Sequence, residues 1–285
     1  MAGGLRGEQT VGLDGNSQGR PPFASIGFFD SGVGGTSVLL EVHRLLPAAP
    51  LLYLADQAHC PYGPRPTAEL RTLSAANTRW LLARGATLIV IACNTASAAA
   101  LHWLRRRFPG VPFVGMVPAV KPAAQTTRSG VVGLLATPAT LQGALLREVE
   151  AAWAAHVRVE HQLCPGLVER IEAGDLDSPA TRTLVHRSLA PLLAAGVDTI
   201  VLGCTHYPFL TSLIADLAGP EITILDAGPA VARQVVRLWQ PLAPHRAPAP
   251  ITYATTGDPA AFVRTLDRLK VPQGRIVAAE GEIGD

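Results

Sequence analysis

Lysine is scarce in this chain of 285 residues: only Lys121 and Lys270 occur among 24 basic side chains, and the others are arginine. Charged residues make up 16% of the sequence and the formal net charge is +2. A nucleic-acid-binding protein needs a clustered basic face, which this balance does not supply. The one basic run, residues 105–107, follows an apolar stretch and is typical of a helix C-terminus, where the dipole favours cations. We therefore expect no nucleic-acid partner.

Paired cysteines and export signals are also missing. The four cysteines, Cys60, Cys93, Cys164 and Cys204, are widely spaced and include no C-x-x-C pair. This spacing in a chain of this length favours free thiols in a reduced, cytoplasmic protein. Residues 1–22 are Gly-rich and polar, without the apolar core of a signal peptide, and we interpret them as a disordered leader.

A membrane-spanning segment is not indicated. Residues 85–104 contain no charged side chain, but Asn94, Thr95, Ser97 and His102 interrupt the apolar run. A buried strand that continues into a helix explains this segment better than a membrane span. We therefore expect no membrane partner.

Apolar segments of strand length alternate with helical patterns, which predicts an α/β fold with mainly parallel sheets. Continuous apolar runs such as residues 88–91 are typical of strands that helices cover on both faces. The predicted strands are Ser25–Phe29, Leu51–Leu54, Leu88–Ala92, Pro112–Gly115, Val131–Leu135, Val157–His161, Thr199–Gly203, Ile222–Leu225 and Ile251–Ala254. The predicted helices cover residues 36–46, 67–84, 96–108, 138–155, 179–195, 208–218, 228–239 and 259–269.

An internal repeat indicates two similar halves. Residues 81–93 read LLARGATLIVIAC, and 111 residues later residues 192–204 read LLAAGVDTIVLGC. Residues 26–31 and 132–137 form a second pair, IGFFDS and VGLLAT. The repeat predicts two pseudo-symmetric, doubly wound lobes, each with a cysteine where a strand ends. Because ligands of open α/β sheets bind outside the carboxyl ends of the strands, we expect the active site in the cleft between the lobes.

The repeat also sets the expected domain boundaries. We assign residues 23–117 and 226–275 to a first lobe that carries Cys93, and residues 118–225 to a second lobe that carries Cys204. We interpret residues 276–285 as a tail.

Cys93 and Cys204 each stand where a strand is expected to give way to a helix. The N–H groups and dipole at a helix N-terminus lower the pKa of a thiol. Besides buried structural cysteine, two facing thiols allow a disulfide, a metal site that also uses Cys60 and His206, or proton transfer. A disulfide would lock the cleft, and the local ligand pairing of a zinc site is absent. Proton transfer is favoured: one thiolate removes a proton from a carbon, and the other thiol returns one to the opposite face.

A Gly-rich loop, residues 30–35 with the sequence DSGVGG, follows the first predicted strand. It matches neither G-x-x-x-x-G-K nor G-x-G-x-x-G, and no lysine is near, so phosphate binding is not favoured. Its open N–H groups are suited to a carboxylate instead. Asp30 is available to hold a substrate ammonium group or to orient Cys93 as a base. His206 follows Cys204 closely and is expected to assist proton movement.

Five motifs follow one another along the chain: GFFDSGVGG at 27–35, PYG at 61–63, CNTA at 93–96, VG at 132–133 leading to Thr137 and Thr140, and GCTHYP at 203–208. In this order they resemble the glutamate racemases of bacterial cell-wall synthesis, over roughly residues 25–240. The segment Cys164-Pro165 with Glu169 also fits the pattern of that family.

The resemblance implies a pyridoxal-independent isomerase that interconverts L- and D-glutamate, built of two α/β lobes and often homodimeric. It implies that Cys93 takes the proton from D-glutamate and Cys204 from L-glutamate. Asp30 and His206 are the implied helpers, with Glu169 as the outer partner of His206. The implied substrate-binding residues are Asp30, Ser31, Pro61, Tyr62, Gly63, Asn94, Thr95, Thr137, Thr140, Thr205 and His206.

Composition supports a cofactor-free route independently. Amino-acid racemases that use pyridoxal phosphate hold it through a lysine Schiff base. Lys121 and Lys270 both lie outside the motifs, so we expect no cofactor. We also expect no metal, because the local ligand pairing of a zinc site is absent. One departure from the family is Cys60, which stands before Pro61 where an aromatic residue is more usual, and we expect it at the edge of the cleft.

Three alternatives stay open. The first is a racemase of aspartate or another small acidic substrate, because the thiol motifs barely distinguish these. The second is a thiol hydrolase with Cys204 as nucleophile and His206 as base, although positions so close in sequence are a poor geometry for that pair. The third is a non-catalytic binding module of two lobes, which leaves the matched thiols unexplained.

Overall fold

Ten strands form two separate sheets within residues 24–239 and 250–279, which are the residues that this computed structural model describes. Every strand pairing in the two sheets is parallel, so the predicted α/β class is confirmed. The predicted leader, residues 1–22, lies outside the described residues. The strands are β1 (Ser25–Asp30), β2 (Leu51–Ala55), β3 (Ala86–Ile91), β4 (Phe113–Val114), β5 (Val131–Ala136), β6 (Arg158–Leu163), β7 (Thr199–Gly203), β8 (Thr223–Asp226), β9 (Thr252–Thr255) and β10 (Arg275–Ala278).

Helices connect the strands and cover the sheets. Two of them begin with an oxygen cap: Ser178 accepts a hydrogen bond from the backbone of Thr181, and Asp258 accepts from Ala260 and Ala261. The helices are α1 (Thr36–Leu45), α2 (Thr67–Ala83), α3 (Asn94–Arg107), α4 (Val120–Thr126), α5 (Pro138–Leu141), α6 (Ala144–Trp153), α7 (Leu167–Glu172), α8 (Pro179–Ala194), α9 (Thr211–Ala218), α10 (Gly228–Leu238) and α11 (Pro259–Arg268).

The two sheets share one topology. The six-stranded sheet has the order β10-β9-β2-β1-β3-β4, and the four-stranded sheet has the order β6-β5-β7-β8. The second order repeats β2-β1-β3-β4 of the first sheet. The register repeats as well, since Gly27 pairs with Ile89 and Gly133 pairs with Ile200. The sequence repeat therefore extends to strand order and residue pairing.

In each lobe, a glycine of the central strand leaves room for a leucine side chain of a covering helix. A Cβ added at Gly27 would lie 3.3 Å from Leu81 of α2, and one added at Gly133 would lie 2.8 Å from Leu192 of α8. Leu81 and Leu192 are themselves partners in the repeat. In each lobe, the helix before the cysteine-bearing strand packs directly on the backbone of the central strand.

One hydrophobic cluster joins the lobes. It contains Val33 and Val38 from the first lobe together with Ile171 and Leu213 from the second, all of them buried. Full burial of such a side chain stabilises the fold by roughly 1.5–3 kcal/mol. Helix α10 follows the last strand of the second sheet and packs along α1, so the chain returns to the first lobe there.

Several predicted boundaries were wrong. The predicted tail, residues 276–285, begins inside strand β10, which extends the first sheet beyond β9. The predicted helix 138–155 is broken after Leu141, because Gly143 is extended there. The predicted helix 208–218 begins as a 3₁₀ turn at Tyr207–Leu210. Helices α4 and α7 were missed, since six or seven residues are too few to show a helical period.

The described helices include none with the length and apolar content needed to cross a bilayer. The uncharged segment 85–104 forms β3 and most of α3, as the sequence predicted.

Alanine substitutions at the paired glycines test this packing. An added Cβ at Gly27 would meet the fixed Cβ of Ala86 at 2.8 Å, whereas at Gly133 it would meet the flexible end of Leu192. We expect Gly27→Ala to lower the free energy of unfolding by about 1–3 kcal/mol, as overpacking does. Gly133→Ala should cost less, because Leu192 can change its rotamer. Denaturant unfolding followed by circular dichroism measures both.

The Leu192→Ala background is the control. It removes the methyl group that an alanine at position 133 would meet, so the cost of Gly133→Ala should shrink there. An unchanged cost would mean that contact with Leu192 is not its source.

Candidate active site

A narrow cavity lies at the carboxyl ends of the central strands, between the two lobes. Twelve predicted site residues line it, and Val168 is the one lining residue that the sequence did not indicate. Two predicted residues, Thr140 and Glu169, do not line this cavity. The lining residues are Asp30, Ser31, Pro61, Tyr62, Gly63, Cys93, Asn94, Thr95, Thr137, Val168, Cys204, Thr205 and His206.

Cys93 caps helix α3. It follows strand β3, and its Sγ accepts a hydrogen bond from the backbone N–H of Ala96 at 3.4 Å. The expected lowering of its pKa is wrong: burial raises the pKa of the Cys93 thiol well above its usual value, and the nearby charge of Asp30 raises it further. The N–H of Ala96 lowers the pKa but does not outweigh these effects. Cys93 is therefore a neutral thiol in the free protein.

Asp30 is fully buried at the end of strand β1. Its carboxylate accepts hydrogen bonds from the backbone of Ser31 at 2.7 Å and of Gly35 at 2.5 Å, and from Thr205 Oγ1 of the other lobe at 3.2 Å. Burial raises its pKa, against the lowering effects of the His206 charge and of a hydrogen bond from Cys93. Asp30 is thus placed to take a proton from the Cys93 thiol.

Cys204 has a different partner. Its Sγ lies 3.7 Å from Nδ1 of His206, and Nε2 of His206 lies 2.6 Å from Oε1 of Glu172. Burial alone would lower the pKa of His206, but its hydrogen bonds to Cys204 and Glu172 and their charges raise it well above its usual value. His206 is therefore an imidazolium, which can donate the proton on Nδ1 to Cys204.

The Cys204 contact corrects two expectations. Because the chain turns immediately after strand β7, His206 reaches back to Cys204 although only one residue separates them. Sequence proximity is therefore no obstacle to a thiol–histidine pair here. Cys204 also precedes a turn and a 3₁₀ helix, so the argument from a helix N-terminus applies to Cys93 alone.

The partner of His206 is Glu172 and not the predicted Glu169. Both lie on helix α7, three residues apart, and Glu169 is exposed and lines a neighbouring pocket. Glu172 also accepts hydrogen bonds from the backbone of Val33 at 2.7 Å and from Nε2 of Gln57 at 2.9 Å. Burial acts to raise its pKa, but these hydrogen bonds and the His206 contacts lower it overall. Glu172 is therefore ionised and binds both lobes.

The Gly-rich loop makes room for this pair. A Cβ at Gly32 would lie 1.9 Å from Glu172, and one at Gly34 would lie 2.2 Å from Nδ1 of His206. The N–H groups expected to bind a substrate carboxylate are also engaged, since that of Val33 bonds to Glu172 and that of Gly35 bonds to Asp30. The loop therefore receives the side chains of Glu172 and His206 from the second lobe, and these two N–H groups are not free for a substrate carboxylate.

Known proteins that resemble this chain in sequence and in fold are named as racemases. Residues 31–235 match the family of Asp/Glu/hydantoin racemases. This chain belongs to that family. A glutamate racemase of Roseiflexus sp. is 59% identical over 258 residues, which cover 89% of this chain and 95% of that protein. A glutamate racemase of Herpetosiphon aurantiacus is 51% identical over 249 residues, which cover 86% of this chain and 98% of that protein.

Solved structures agree with the sequence comparison. Escherichia coli glutamate racemase, in complex with L-glutamate and the activator UDP-MurNAc-Ala, has a TM-score of 0.79 and 32% identity, covering 90% of this chain and 98% of that one. A Bacillus anthracis glutamate racemase has a TM-score of 0.81 and 29% identity, covering 92% and 99%. The resemblance inferred from the motifs is confirmed, as is the isomerase class.

Asn94 is a buried polar residue of this racemase whose side chain lacks hydrogen-bond partners. It is buried in the cavity wall, and both its amide oxygen and its amide nitrogen have no hydrogen-bond partner in the protein. A buried amide without partners costs roughly 1–3 kcal/mol. A bound substrate with polar groups would relieve that cost.

A hydrogen bond between threonine hydroxyls also joins the two lobes at the cavity. Thr95 Oγ1 shares a hydrogen bond of 2.8 Å with Thr137 Oγ1, and Thr137 shares one of 3.0 Å with Thr140. Thr140 stands behind Thr137 and orients it, which corrects the expectation that Thr140 binds substrate directly. Tyr62 donates a hydrogen bond to Asp56 at 2.5 Å, so its hydroxyl is held away from the cavity centre.

Replacing Asn94 should separate stability from activity. Asn94→Ala removes an unpartnered buried amide, so we expect the melting temperature to stay unchanged or to rise, as at many functional sites. The racemase activity should fall about 100-fold, in line with the loss of one active-site donor. Differential scanning fluorimetry and kcat/KM measure the two effects.

Asn77→Ala is the matched control. Asn77 is also buried, but its amide donates to Tyr62 Oη at 3.1 Å. We expect this variant to lose stability. If Asn94→Ala destabilised the protein as much as Asn77→Ala does, Asn94 would be a structural residue.

Proposed function

We propose that this racemase interconverts L- and D-glutamate without a cofactor, by proton transfer between the substrate and two thiols. The observation that carries the proposal is that Cys93 and Cys204 line one cavity from opposite lobes. Each thiol has its own proton partner: Asp30 stands beside Cys93, and the pair of His206 and Glu172 stands beside Cys204.

On the Cys93 side, Asp30 acts as the base that activates the thiol. The Cys93 proton moves to the Asp30 carboxylate, and the thiolate then removes the α-proton of D-glutamate. Burial of both groups in the cavity wall supports this order, because it disfavours a standing thiolate before substrate arrives. The positive charge that a substrate ammonium group brings favours the step electrostatically.

On the Cys204 side, His206 returns a proton to the opposite face of the carbon through Cys204. The raised pKa of His206 keeps that proton available. Glu172 holds the imidazolium in place through Nε2, and Nδ1 then points at the Cys204 sulfur. In the reverse direction Cys204 removes the α-proton of L-glutamate and His206 receives it.

The developing carbanion must be stabilised, because an amino-acid α-carbon is a very weak acid. Asn94, Thr95, Ser31 and Thr205 line the cavity and offer neutral donors. Donors fixed in a site that excludes water stabilise charge far better than they do in bulk solvent. A pyridoxal enzyme would need a lysine in the cavity. Lys121 does not line the cavity, and its Nζ lies 3.4 Å from the centre of the Trp153 ring.

The naming of close relatives as glutamate racemases supports glutamate over aspartate as the substrate. The resemblance to enzymes of cell-wall synthesis supports a cytoplasmic role in supplying D-glutamate for peptidoglycan, and a homodimeric assembly. The contact between Cys204 and His206 would also suit a thiol hydrolase, but that reaction gives Cys93 and Asp30 no role.

Exchange of the α-hydrogen in heavy water tests the two-thiol mechanism. The unmodified enzyme should incorporate deuterium at Cα of both glutamate enantiomers without added cofactor, and aspartate should react far more slowly. Cys93→Ser should retain exchange with L-glutamate only, and Cys204→Ser with D-glutamate only, because each variant keeps one thiol. Proton magnetic resonance follows the loss of the α-hydrogen signal. Equal loss with both enantiomers in each variant would contradict the assignment of one thiol to one face.

The pair Glu172→Gln and Glu169→Gln tests which carboxylate supports His206. Glu172→Gln removes the charge that raises the pKa of His206, so kcat/KM should fall by about 10²–10⁴-fold, as for lost acid–base catalysis. The decline of kcat/KM at high pH should also begin at a lower pH, because His206 then loses its proton earlier. Glu169→Gln, on the exposed side of α7, should behave like the unmodified enzyme. Equal effects of the two variants would refute the assignment.

A further inference from the structure

Cys60 stands beside the pair that serves Cys204, and the proposed mechanism gives it no role. Its Sγ, a carboxylate oxygen of Glu172 and a ring nitrogen of His206 all lie within 4.8 Å of one another. Cys60 belongs to the loop after β2 in the first lobe, whereas Glu172 and His206 belong to the second. Cys60 and Glu172 also line a second cavity, together with Gln57 and Glu169, on the outer side of the active site.

We propose that Cys60, Glu172 and His206 form a binding site for Zn²⁺, and that the bound ion inhibits the racemase. Thiolate, imidazole and carboxylate are the three ligand types that proteins offer to zinc. The ion would enter from the second cavity and take the place of the proton between Nε2 of His206 and Glu172. A water molecule from that cavity would complete a tetrahedral set.

The distances are within reach of coordination. Zinc bonds of roughly 2.0–2.3 Å to nitrogen, oxygen and sulfur place tetrahedral ligand atoms roughly 3.3–3.6 Å apart. Donor atoms within 4.8 Å of one another need to move by only about 1 Å to reach this geometry. The contact of 2.6 Å between His206 and Glu172 would widen as the ion enters.

Zinc binding leaves the net charge of the cluster unchanged. Before binding, the cluster holds a neutral Cys60 thiol, whose pKa burial raises, the Glu172 carboxylate and the His206 imidazolium. Zn²⁺ displaces one proton from Cys60 Sγ and one from His206 Nε2, and both protons leave to solvent. Two positive charges therefore replace two protons, so no additional net charge is buried. The nearby carboxylate of Asp30 acts electrostatically on Cys60 and favours a cation.

Inhibition follows from the position of the ion. His206 bound to zinc through Nε2 cannot carry the second proton that it exchanges with Cys204. Ligands from both lobes would also fix the lobes in one relative position, which hinders substrate entry and product release. The inhibition rests on the proposed function, whereas the binding of the ion does not.

Cobalt provides a spectroscopic test that is independent of activity. Co²⁺ bound to a thiolate absorbs in the near ultraviolet, so titration of the full chain reports a cysteine ligand. The catalytic thiols are removed by Cys93→Ser with Cys204→Ser, and this double variant should keep the absorption band. Adding Cys60→Ser should abolish the band, whereas adding Cys164→Ser should leave it, because Cys164 is not part of the cluster.

Zinc inhibition of the otherwise unmodified enzyme provides the second readout. Activity without metal should be unaffected by Cys60→Ser, and the zinc concentration for half inhibition should rise at least about 10–100-fold, since even outer partners of metal sites contribute that much. A chelator should restore the unmodified enzyme. Cys60→Ala serves if the serine variant folds poorly.

Two results would overturn the proposal. One is a cobalt–thiolate band that disappears with the catalytic thiols or survives without Cys60, which would place the ion elsewhere. The other is equal zinc inhibition with and without Cys60. If the protein does not racemise glutamate but the band depends on Cys60, the proposed function fails and the metal site stands.

Discussion

The carboxylate of Glu172 is the constraint on which this active site depends. It belongs to helix α7 of the second lobe. It accepts hydrogen bonds from Val33 and Gln57 of the first lobe and from His206. Hydrogen bonds to an ionised group are about twice as strong as neutral ones, so this group joins the lobes and fixes His206 together. It fits only because Gly32 has no side chain at that point. The same carboxylate therefore links the two lobes and keeps His206 protonated.

The two lobes share a topology but divide the chemistry unequally. Cys93 and Cys204 are equivalent in the repeat, yet Asp30 corresponds to Ala136, and His206 corresponds to Thr95. One thiol therefore works beside a carboxylate and the other beside an imidazolium. In the proposed mechanism, Asp30 accepts the proton of Cys93, and His206 supplies a proton through Cys204.

The predictions that the structure agrees with were those based on periodicity and on motifs. The repeat indicated two lobes and the strand ends that meet at the cleft, and the motifs indicated nearly all of the cavity lining. Contacts between side chains distant in sequence were not predictable. Glu169 and Glu172 lie on one short helix, and only the packing of α7 against the Gly-rich loop decides which reaches His206. The pKa of Cys93 depends on depth of burial, which a strand–helix junction does not reveal.

The burial of Cys93 and Asn94 bears on when the proposed reaction can begin. In the free protein, burial keeps Cys93 as a neutral thiol and leaves the amide of Asn94 without hydrogen-bond partners, and only the unpartnered amide is a cost to stability. In the proposed mechanism, an amino-acid substrate relieves this cost because its oxygens accept hydrogen bonds from the amide. Its ammonium group also offsets the charge of the thiolate that forms at Cys93. Functional sites commonly sacrifice stability in this manner. On this proposal, the reactive thiolate forms mainly when the carbon that it deprotonates is in place, and Cys93 stays a neutral thiol at other times.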